Sequence, residues 1–280
     1  MNWLIFSLLT AFFFALSTVI ARAFLKKQGD ALAFTAIHDF IAGAILLPVI
    51  FINFSLPTHN ITWLFFIGLV IFALLSDWSG FVALKLIDVS LFKIVWQSRH
   101  ILVLLAGFLF FAESITLVKV SAVLLIIIGV IIALYEKAKV NWSKGITFTI
   151  LSTVFGACAI VFAKFAIKDF SANLMASLEL MLIGILIFTF LKFKPKTIIK
   201  EFKVNKWGLI LAGGFFGISE LFMFMSLKIG EVSKVVPVVQ SSLVFAVLMG
   251  IIFLKEYKRI PQKIIGMLVI VIGVLLLYHY

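Results

Sequence analysis

The sequence predicts an all-α integral membrane protein whose ten transmembrane helices form two inverted five-helix repeats. Three observations lead to this fold class. Of the 280 residues, 64% are hydrophobic and only 13% are charged, whereas a soluble domain carries about 25% charged residues. The apolar residues fall into ten long runs, and the second five runs repeat features of the first five. Because so apolar a chain cannot cover a water-soluble fold with polar surface, we expect it to lie in lipid.

Each apolar run is long enough to cross a bilayer, whose core needs about 20 apolar residues per helix. Spans 1 to 5 are predicted at residues 3–25, 31–53, 61–86, 89–112 and 118–135. Spans 6 to 10 are predicted at residues 143–168, 171–191, 206–229, 231–254 and 262–278. The longest predicted connection is the lysine-rich run 192–206. Because the bilayer core has no water to satisfy backbone groups, each run is expected to be helical.

Basic residues exceed acidic ones, giving a formal net charge of +12. In a soluble protein that excess would suggest a nucleic-acid partner. Here lysine and arginine fall in the short gaps between apolar runs, a pattern typical of membrane-flanking charge. We therefore expect a multi-pass protein of the cell (inner) membrane, with lipid as a partner and no nucleic acid. No catalytic or clustered metal-binding spacing is recognisable, so the sequence predicts no enzyme, no metal and no cofactor.

An internal duplication is the strongest signal in the sequence. A shift of 143 residues aligns the two halves, and thirteen of the 38 positions from 76 to 113 are then identical. These halves are predicted as repeats at residues 1–137 and 138–280. The aligned pairs include Ser76-Asp77 with Ser219-Glu220, Asp88 with Glu231, Gln97-Ser98 with Gln240-Ser241, Gly107 with Gly250, Glu113 with Glu256 and, less tightly, Asp39 with Glu179.

The odd number of spans in each repeat determines how the halves are oriented. After five spans the chain is on the other side of the bilayer, so the second half is predicted to run in the opposite direction. Inverted repeats are characteristic of secondary transporters, in which substrate sites lie near the bilayer midplane between the repeats. They also occur in channels, so this pattern favours a carrier without excluding a channel.

The end of the fourth span carries a family resemblance. The stretch from Gly107 to Glu113-Ser114-Ile115-Thr116, repeated at Gly250 and Glu256, resembles the EamA domain of the drug/metabolite transporter superfamily. The tandem repeat extends this resemblance over the whole chain, although Phe-Phe-Ala-Glu and Phe-Leu-Lys-Glu replace the more usual Leu-Gly-Glu ending. The resemblance implies exporters or exchangers of amino acids, nucleotide-like metabolites, sugars or drugs.

Several polar residues are predicted to share one depth in the bilayer. Ionisable groups inside a span are costly and indicate a functional site. Counted from the ends of their spans at about 1.5 Å per residue, these residues reach the middle of the membrane from both sides. The candidate substrate-binding residues are Asp39, Asp77, Trp96, Gln97, Arg99, Glu179, Glu220 and Gln240.

Arg99 distinguishes the two halves, because it aligns with Ser242. A guanidinium at this depth needs an anionic partner. That partner is either one of the four carboxylates, as a permanent structural ion pair, or an anionic group of the substrate. The neighbouring Trp96 could stack on a planar substrate or could pack against lipid and other helices.

Two histidines and one proline complete the set of candidate features. His38 precedes Asp39, and His100 follows Arg99. Because histidine exchanges protons near neutral pH, His38 and His100 are candidates for proton coupling. Pro237 removes a backbone donor from span 9. It indicates either a kink that lines a site or an ordinary packing kink.

These features lead to three functional hypotheses. The first is a secondary transporter that exports a small polar metabolite, such as an amino acid, by alternating access around a midplane cavity, with or without proton coupling. The second is a flippase or transporter of a lipid-linked or amphipathic molecule such as a drug. The third is a membrane-embedded enzyme or assembly factor that uses His38, His100 and the carboxylates. The expected partners are a small-molecule substrate and the lipid bilayer, and the chain is predicted to be a monomer or a homodimer.

Overall fold

A computed structural model of the chain describes residues 2–24, 31–52, 54–84, 86–87, 89–135, 143–190, 195–254 and 259–279. Within these ranges every regular element is an α-helix. The predicted boundary between residues 137 and 138 lies outside the described residues, as do Asp88 and Glu256.

The described residues form twelve helices. In chain order they are α1 (Trp3–Phe24), α2 (Ala31–Ile50), α3 (Asn60–Leu84), α4 (Val89–Trp96), α5 (Arg99–Phe111), α6 (Leu117–Leu134), α7 (Lys144–Ala166), α8 (Ala172–Phe190), α9 (Pro195–Ile229), α10 (Val232–Val239), α11 (Ser242–Leu254) and α12 (Ile260–His279).

Ten segments of the described chain are long and apolar enough to cross a membrane. Each overlaps one predicted span, so the prediction of an all-α, ten-span membrane protein is confirmed. Span 4 consists of α4 and α5, and span 9 consists of α10 and α11. Both of these spans are therefore broken helices.

The two breaks fall at equivalent positions in the repeats, at Gln97-Ser98 and at Gln240-Ser241. At the first break the Ser98 N–H bonds to the Val95 carbonyl, and at the second the Ser241 N–H bonds to the Val238 carbonyl. In both bonds the donor lies three residues after the acceptor. Such bonds make a tighter, 3₁₀-type turn at the end of the first helix of each span. The sequence indicated a kink only in span 9, from Pro237. Span 4 breaks without a proline, so the shared feature is the Gln-Ser pair.

The lysine-rich segment 192–206 is helical over much of its length, which corrects its prediction as a connection. Helix α9 begins at Pro195 and continues through a kink at Asn205, where φ is −118° and ψ is 20°. Before the kink, Ile198 and Phe202 pack on a small core formed by Phe34, Ile37 and Leu209. Ile198 and Phe202 lie one helical turn apart, so both side chains can pack on this core. This packing stabilises a helix that could not be recognised among the lysines of the sequence.

The helices pack in pairs that recur when the two halves are exchanged. Span 1 packs on span 8 and span 6 packs on span 3, while spans 2 and 7 pack together, as do spans 5 and 10. Gly129 and Gly266 bring spans 5 and 10 into close contact, because a Cβ at Gly129 would lie 2.7 Å from the Gly266 carbonyl oxygen. This arrangement surrounds a central space between spans 1 to 4 and spans 6 to 9.

Contacts between span ends define two faces of the bundle. The Cβ of Trp3, at the start of α1, contacts Gly230 just before α10. We call this the N-face; it also contains the loop between α5 and α6. At the opposite face, Arg259 before α12 donates to the Tyr135 carbonyl after α6 at 3.1 Å.

Candidate functional site

A cavity of about 310 Å³ lies in the central space of the bundle. It is lined by residues from spans 1 to 4 and spans 6 to 9. Seven of the eight predicted substrate-binding residues line it: Asp39, Asp77, Trp96, Arg99, Glu179, Glu220 and Gln240. The structure therefore brings together groups that are up to 201 residues apart in the chain.

Glycine contacts position Asp39 in the middle of α2. Gly213 and Gly217 of α9 face the α2 backbone. A Cβ on Gly213 would lie 2.9 Å from the His38 carbonyl oxygen, and a Cβ on Gly217 would lie 2.6 Å from the Ala42 carbonyl oxygen. Gly184 of α8 makes a similar contact with the Phe40 backbone nitrogen. Because side chains larger than hydrogen would separate these helices, the glycines fix the distance of Asp39 from α8 and α9.

Two serines position the next pair of carboxyl groups. Ser76 precedes Asp77 and donates to the Ser152 carbonyl of α7 at 3.0 Å. Its repeat equivalent, Ser219, precedes Glu220 and donates to the Thr10 carbonyl of α1 at 3.0 Å. Both serines are buried. Each hydrogen bond joins α3 or α9 to the helix packed against it, so the following carboxyl group is held at a fixed rotation toward the cavity.

Glu179 is the fourth carboxyl group of the cavity. It lies near the middle of α8 and is only 7% exposed. Its Oε2 atom is buried and has no hydrogen-bond partner among the described residues. A buried carboxylate oxygen without a partner is costly. Glu179 therefore presents a carboxyl oxygen without a partner among the described residues at the cavity.

Among the described residues that line the cavity, Arg99 is the only one with a basic side chain. It lies at the start of α5, directly after the break in span 4, and its Cζ atom is 3.6 Å from the centre of the Trp96 ring. This cation–π contact holds the guanidinium in place. Gly156 of α7 provides space for it, because a Cβ there would lie 3.3 Å from Arg99 Cδ and Nη1.

The cavity contains opposite charges that are not joined by direct ion pairs. Within the described part of the chain, Arg99 has no carboxylate within 4.0 Å, and its Nε atom has no hydrogen-bond partner. It lines the same cavity as Asp77 and Glu220. The structural ion pair that the sequence left open is therefore absent from the described residues, and the guanidinium can accept an anionic group.

The two candidate histidines occupy different environments. His38 Nδ1 lies 2.8 Å from Asp39 Oδ1, and its ring packs on Phe34 and Phe216. His100 is fully buried and contacts Gln97 Oε1 through Nε2 at 3.0 Å, without reaching a carboxylate among the described residues. Neither histidine lines the cavity, but His38 contacts a residue that does.

Gln97 is the one predicted binding residue that does not line the cavity. Its Oε1 atom accepts a hydrogen bond from Nε2 of Gln240, its repeat equivalent, at 3.0 Å. Gln240 itself lines the cavity. Gln97 therefore contacts the cavity wall from behind and supports it.

Several cavity residues were not predicted from the sequence. They are mostly apolar or small and look like any other residues of a membrane span: Thr10, Phe14, Gly156, Phe216, Met223 and Val239. One signal was available for Gly156, because it aligns with Phe14 at the spacing that pairs Arg22 with Lys164. Arg99 of the first half is thus faced by a glycine of the second half, whereas the equivalent residue in the first half is a phenylalanine.

The groups that line the cavity combine charged and apolar surfaces. Among the residues that the structure describes, no group of three or more histidine, cysteine, aspartate or glutamate side chains could hold a metal ion. The cavity instead combines one guanidinium and four carboxyl groups with an apolar wall that includes Phe14 and Phe216. A small molecule with polar ends and an apolar part fits this combination.

Comparison with known proteins finds both relatives in sequence and solved structures of similar fold. An "Uncharacterized transporter" of Archaeoglobus fulgidus is 28% identical over 263 residues, covering 91% of each chain. The "Probable glucose uptake protein GlcU" of Priestia megaterium is 27% identical over 209 residues, covering 69% of this chain and 63% of the relative. A crystal structure with 16% sequence identity superposes with a TM-score of 0.79 over 98% of this chain and 95% of that one, which shows the fold alone.

A family model matches the chain twice, at residues 1–135 and at residues 143–279. Its description is "EamA-like transporter family". The two matches cover nearly the whole chain, and the ten spans agree with a multi-pass protein of the cell membrane. The protein is therefore a transporter that belongs to the EamA-like transporter family.

Proposed function

We propose that this transporter exports a small polar metabolite, such as an amino acid, by alternating access around the central cavity. The single observation that carries the proposal is the set of opposite charges around one cavity without ion pairs between them. A substrate with an anionic and a cationic group would complete these interactions. Among the described residues these groups are only partly satisfied, which favours binding of such a substrate.

The charges suggest how a zwitterion would be oriented. Arg99 and its Trp96 platform offer a site for a carboxylate, because guanidinium groups bind carboxylates through paired hydrogen bonds. The other charged groups that line the cavity are the carboxyl groups of Asp39, Asp77, Glu179 and Glu220. We assign the substrate's ammonium group to these carboxyl groups.

Proton coupling is part of this proposal. The 2.8 Å contact between His38 Nδ1 and Asp39 Oδ1 joins a cavity carboxyl group to an imidazole. Histidine exchanges protons in the physiological pH range. Protonation of this pair would compete with a substrate ammonium group for Asp39, which links proton and substrate movement. His100 has no such contact within the described residues, so His38 is the stronger candidate.

We also propose that the halves act as inverted repeats with a boundary between residues 137 and 138. The two family matches, at residues 1–135 and 143–279, support a duplicated unit. The recurrence of helix pairs when the halves are exchanged supports a twofold relation between them. In inverted-repeat transporters, movement of one bundle against the other exposes a central site alternately to each side.

Counterflow into proteoliposomes tests the proposal. Purified protein is reconstituted with unlabelled metabolite inside, and uptake of labelled amino acids is followed. Replacing Arg99 with glutamine should lower counterflow about 10- to 100-fold, since a hydrogen bond to a charged group contributes about 1.5–3 kcal/mol. Arg259→Gln is the matched control, because Arg259 lies outside the cavity at the opposite face. Equal counterflow in both variants would remove Arg99 from the site.

The substrate panel also separates the alternatives. The relative named as a glucose uptake protein makes D-glucose a required member of the panel. An amphipathic cation and a fluorescent lipid test transport of drugs and lipid-linked molecules, which the aromatic wall formed by Phe14 and Phe216 could accommodate. Counterflow of glucose alone, or lipid scrambling without amino-acid counterflow, would replace the proposed substrate class. A proton gradient imposed on the same vesicles tests the coupling.

A further inference from the structure

The two faces of the bundle differ although the repeats are equivalent. At the N-face, α10 packs against α5, whereas the equivalent pair at the opposite face, α4 and α11, makes hardly any contact. The burial of equivalent side chains in α10 and α4 differs in the same way. Val235, Val236 and Val238 of α10 are buried, whereas their equivalents in α4, Phe92, Lys93 and Val95, are partly or fully exposed. The described protein is therefore closed at the N-face and more open at the other.

A glutamate of the first half caps the helix that closes the N-face. Glu113 Oε1 accepts the N–H of Val232 at 2.6 Å, and Oε2 accepts the N–H of Ser233 at 3.0 Å. These are the first two residues of α10, whose own N-cap residue, Glu231, makes no side-chain capping bond. A carboxylate at a helix N-terminus satisfies free N–H groups and the helix dipole. The cap therefore joins span 4 of one half to span 9 of the other.

A lysine of the first half adds a second link to the same helix end. Lys119 of α6 is fully buried, and its Nζ lies 2.6 Å from Glu231 Oε2. The same ammonium group donates to the Ser114 carbonyl at 2.8 Å. A buried ion pair that is broken leaves an unpaired charge, which makes separation costly. Glu113 and Lys119 thus hold both the backbone and the side chain at the start of α10.

The Gly–Glu pair at the end of span 4 explains how the glutamate reaches this position. Ala112 ends α5 in the left-handed conformation, with φ of 52°, and turns the chain. The Glu113 N–H then bonds to the Gly107 carbonyl at 3.1 Å. A Cβ on Gly107 would lie only 2.5 Å from Glu113 Oε2. Glycine at position 107 therefore leaves space for the Glu113 carboxylate, which explains why the motif pairs a glycine with a glutamate.

We propose that Glu113 and Lys119 form a clamp that holds the N-face shut and must release the start of α10 when this face opens. This inference rests on the proposed alternating-access function. Both residues belong to the first half, and their contacts at Val232, Ser233 and Glu231 belong to the second half. Movement of the halves apart at this face therefore requires these contacts to break.

The equivalent of Lys119 in the second half is Gln262. Gln262 donates to the carbonyls of Ile132 and Tyr135 at 2.7 Å. Lys119→Gln therefore introduces the residue that the other repeat carries at this position, and it removes the ion pair with Glu231.

Distance measurements between spin labels test the clamp without any substrate. In a Cys158→Ala background, one label pair at Ile115 and Ile229 reports on the N-face, and a second pair at Leu86 and Ile252 reports on the opposite face. All four side chains are exposed. Glu113→Ala and Lys119→Gln should lengthen the N-face distance and shorten the other. Lys228→Gln is the control, because Lys228 lies near the same face and its Nζ donates to the Phe170 carbonyl at 3.0 Å, within the second half.

The outcomes separate the clamp from the transport proposal. If Glu113→Ala does not fold, Lys119→Gln decides, since glutamine already occupies the equivalent position in the other half. Distances equal to wild type in folded Lys119→Gln protein would overturn the clamp, whatever its transport activity. Shifted distances in a protein that transports no member of the panel would support the clamp and contradict the proposed substrate class.

Discussion

Gln240 donates through Nε2 to Oε1 of Gln97 at 3.0 Å, and the two residues occupy the same position in the two repeats. Each glutamine lies where its span breaks into two helices. Gln97 Oε1 also contacts Nε2 of the fully buried His100 at 3.0 Å. Gln97 Oε1 therefore links the two helix breaks. Among the described residues it is also the only polar contact of the His100 imidazole.

Replacement of the two glutamines should have unequal effects on stability. Gln240→Leu removes one hydrogen bond and should cost about 1 kcal/mol. Gln97→Leu also strips His100 of its partner, and a buried polar group left unsatisfied costs about 1–3 kcal/mol more. The measurement is unfolding by SDS in mixed micelles, with the double variant completing a thermodynamic cycle. Equal destabilisation by the two single variants would show that His100 does not depend on Gln97.

The ten spans could be predicted from the sequence because hydropathy depends on composition alone. The meeting of Asp39, Asp77, Arg99, Glu179 and Glu220 around one cavity was also foreseeable, since their depths follow from the helical rise per residue. The depth of a residue does not determine which way its side chain points. Gln97 has the predicted depth, yet it lies behind the wall while Gln240 lines the cavity.

Features that depend on tertiary contacts could not be predicted. The break at Gln97-Ser98 has no proline to mark it, and the helical start of α9 relies on packing of Ile198 and Phe202 onto residues of α2. The partner of Glu113 was equally hidden, because a carboxylate that caps a helix 119 residues away leaves no local pattern. The repeated Gly–Glu pair was visible in the sequence, but its purpose was not.

Trp96 should contribute to substrate affinity through Arg99. The indole ring lies under the guanidinium at 3.6 Å, and a cation–π contact contributes about 0.5–2 kcal/mol. Trp96→Leu should therefore raise the half-saturating substrate concentration about 2- to 30-fold, while Trp96→Phe should have a smaller effect because it keeps an aromatic face.

The dependence on Arg99 distinguishes this effect from simple packing. In an Arg99→Gln background, Trp96→Leu and Trp96→Phe should bind substrate equally well, because there is no cation left to hold. Binding is measured by the shift in thermal unfolding on titration with the transported metabolite. A difference between the two Trp96 variants that persists without Arg99 would mean that the ring contacts the substrate directly.

Gly156 should be intolerant of larger side chains because it makes room for the guanidinium. A Cβ there would lie 3.3 Å from Arg99 Cδ and Nη1 and 3.1 Å from Ser76 Oγ. Gly156→Ala should lower counterflow severalfold by displacing Arg99, and Gly156→Val should lower it further. Gly214→Ala is the control, since a Cβ at Gly214 would make only an ordinary contact of 3.4 Å with Ile45 Cδ1.

The test of this prediction is whether counterflow falls further as the side chain at position 156 becomes larger. Both alanine variants add one methyl group to a helix and should unfold at similar temperatures, so their counterflow rates can be compared directly. If Gly156→Val transports as well as Gly214→Ala, Arg99 does not need the space beside Gly156, and the cavity would have to admit substrate without it.

Asp169 connects two spans outside the membrane-spanning segments. It follows α7, and its Oδ2 accepts the backbone N–H groups of Thr58 at 2.9 Å and His59 at 3.1 Å, just before α3. The Thr62 hydroxyl donates to the same oxygen at 3.0 Å. These hydrogen bonds, that from the His59 N–H above all, lower the pKa of Asp169 to about 2 from its ordinary value of 3.8.

The sign of the resulting pH dependence follows from linkage. The carboxyl group binds a proton more readily in the unfolded chain, so its contribution to stability is fully present above about pH 4 and is lost as the pH falls toward about 2. Asp169→Asn should therefore unfold at a lower temperature than wild type at neutral pH, and the difference should shrink over that acidic interval. Both proteins carry His59→Gln, which removes the titration of the neighbouring imidazole, 3.4 Å from Asp169 Oδ2. A difference that stays constant from pH 7 to about pH 2.5 would show that the charge of Asp169 does not stabilise the fold.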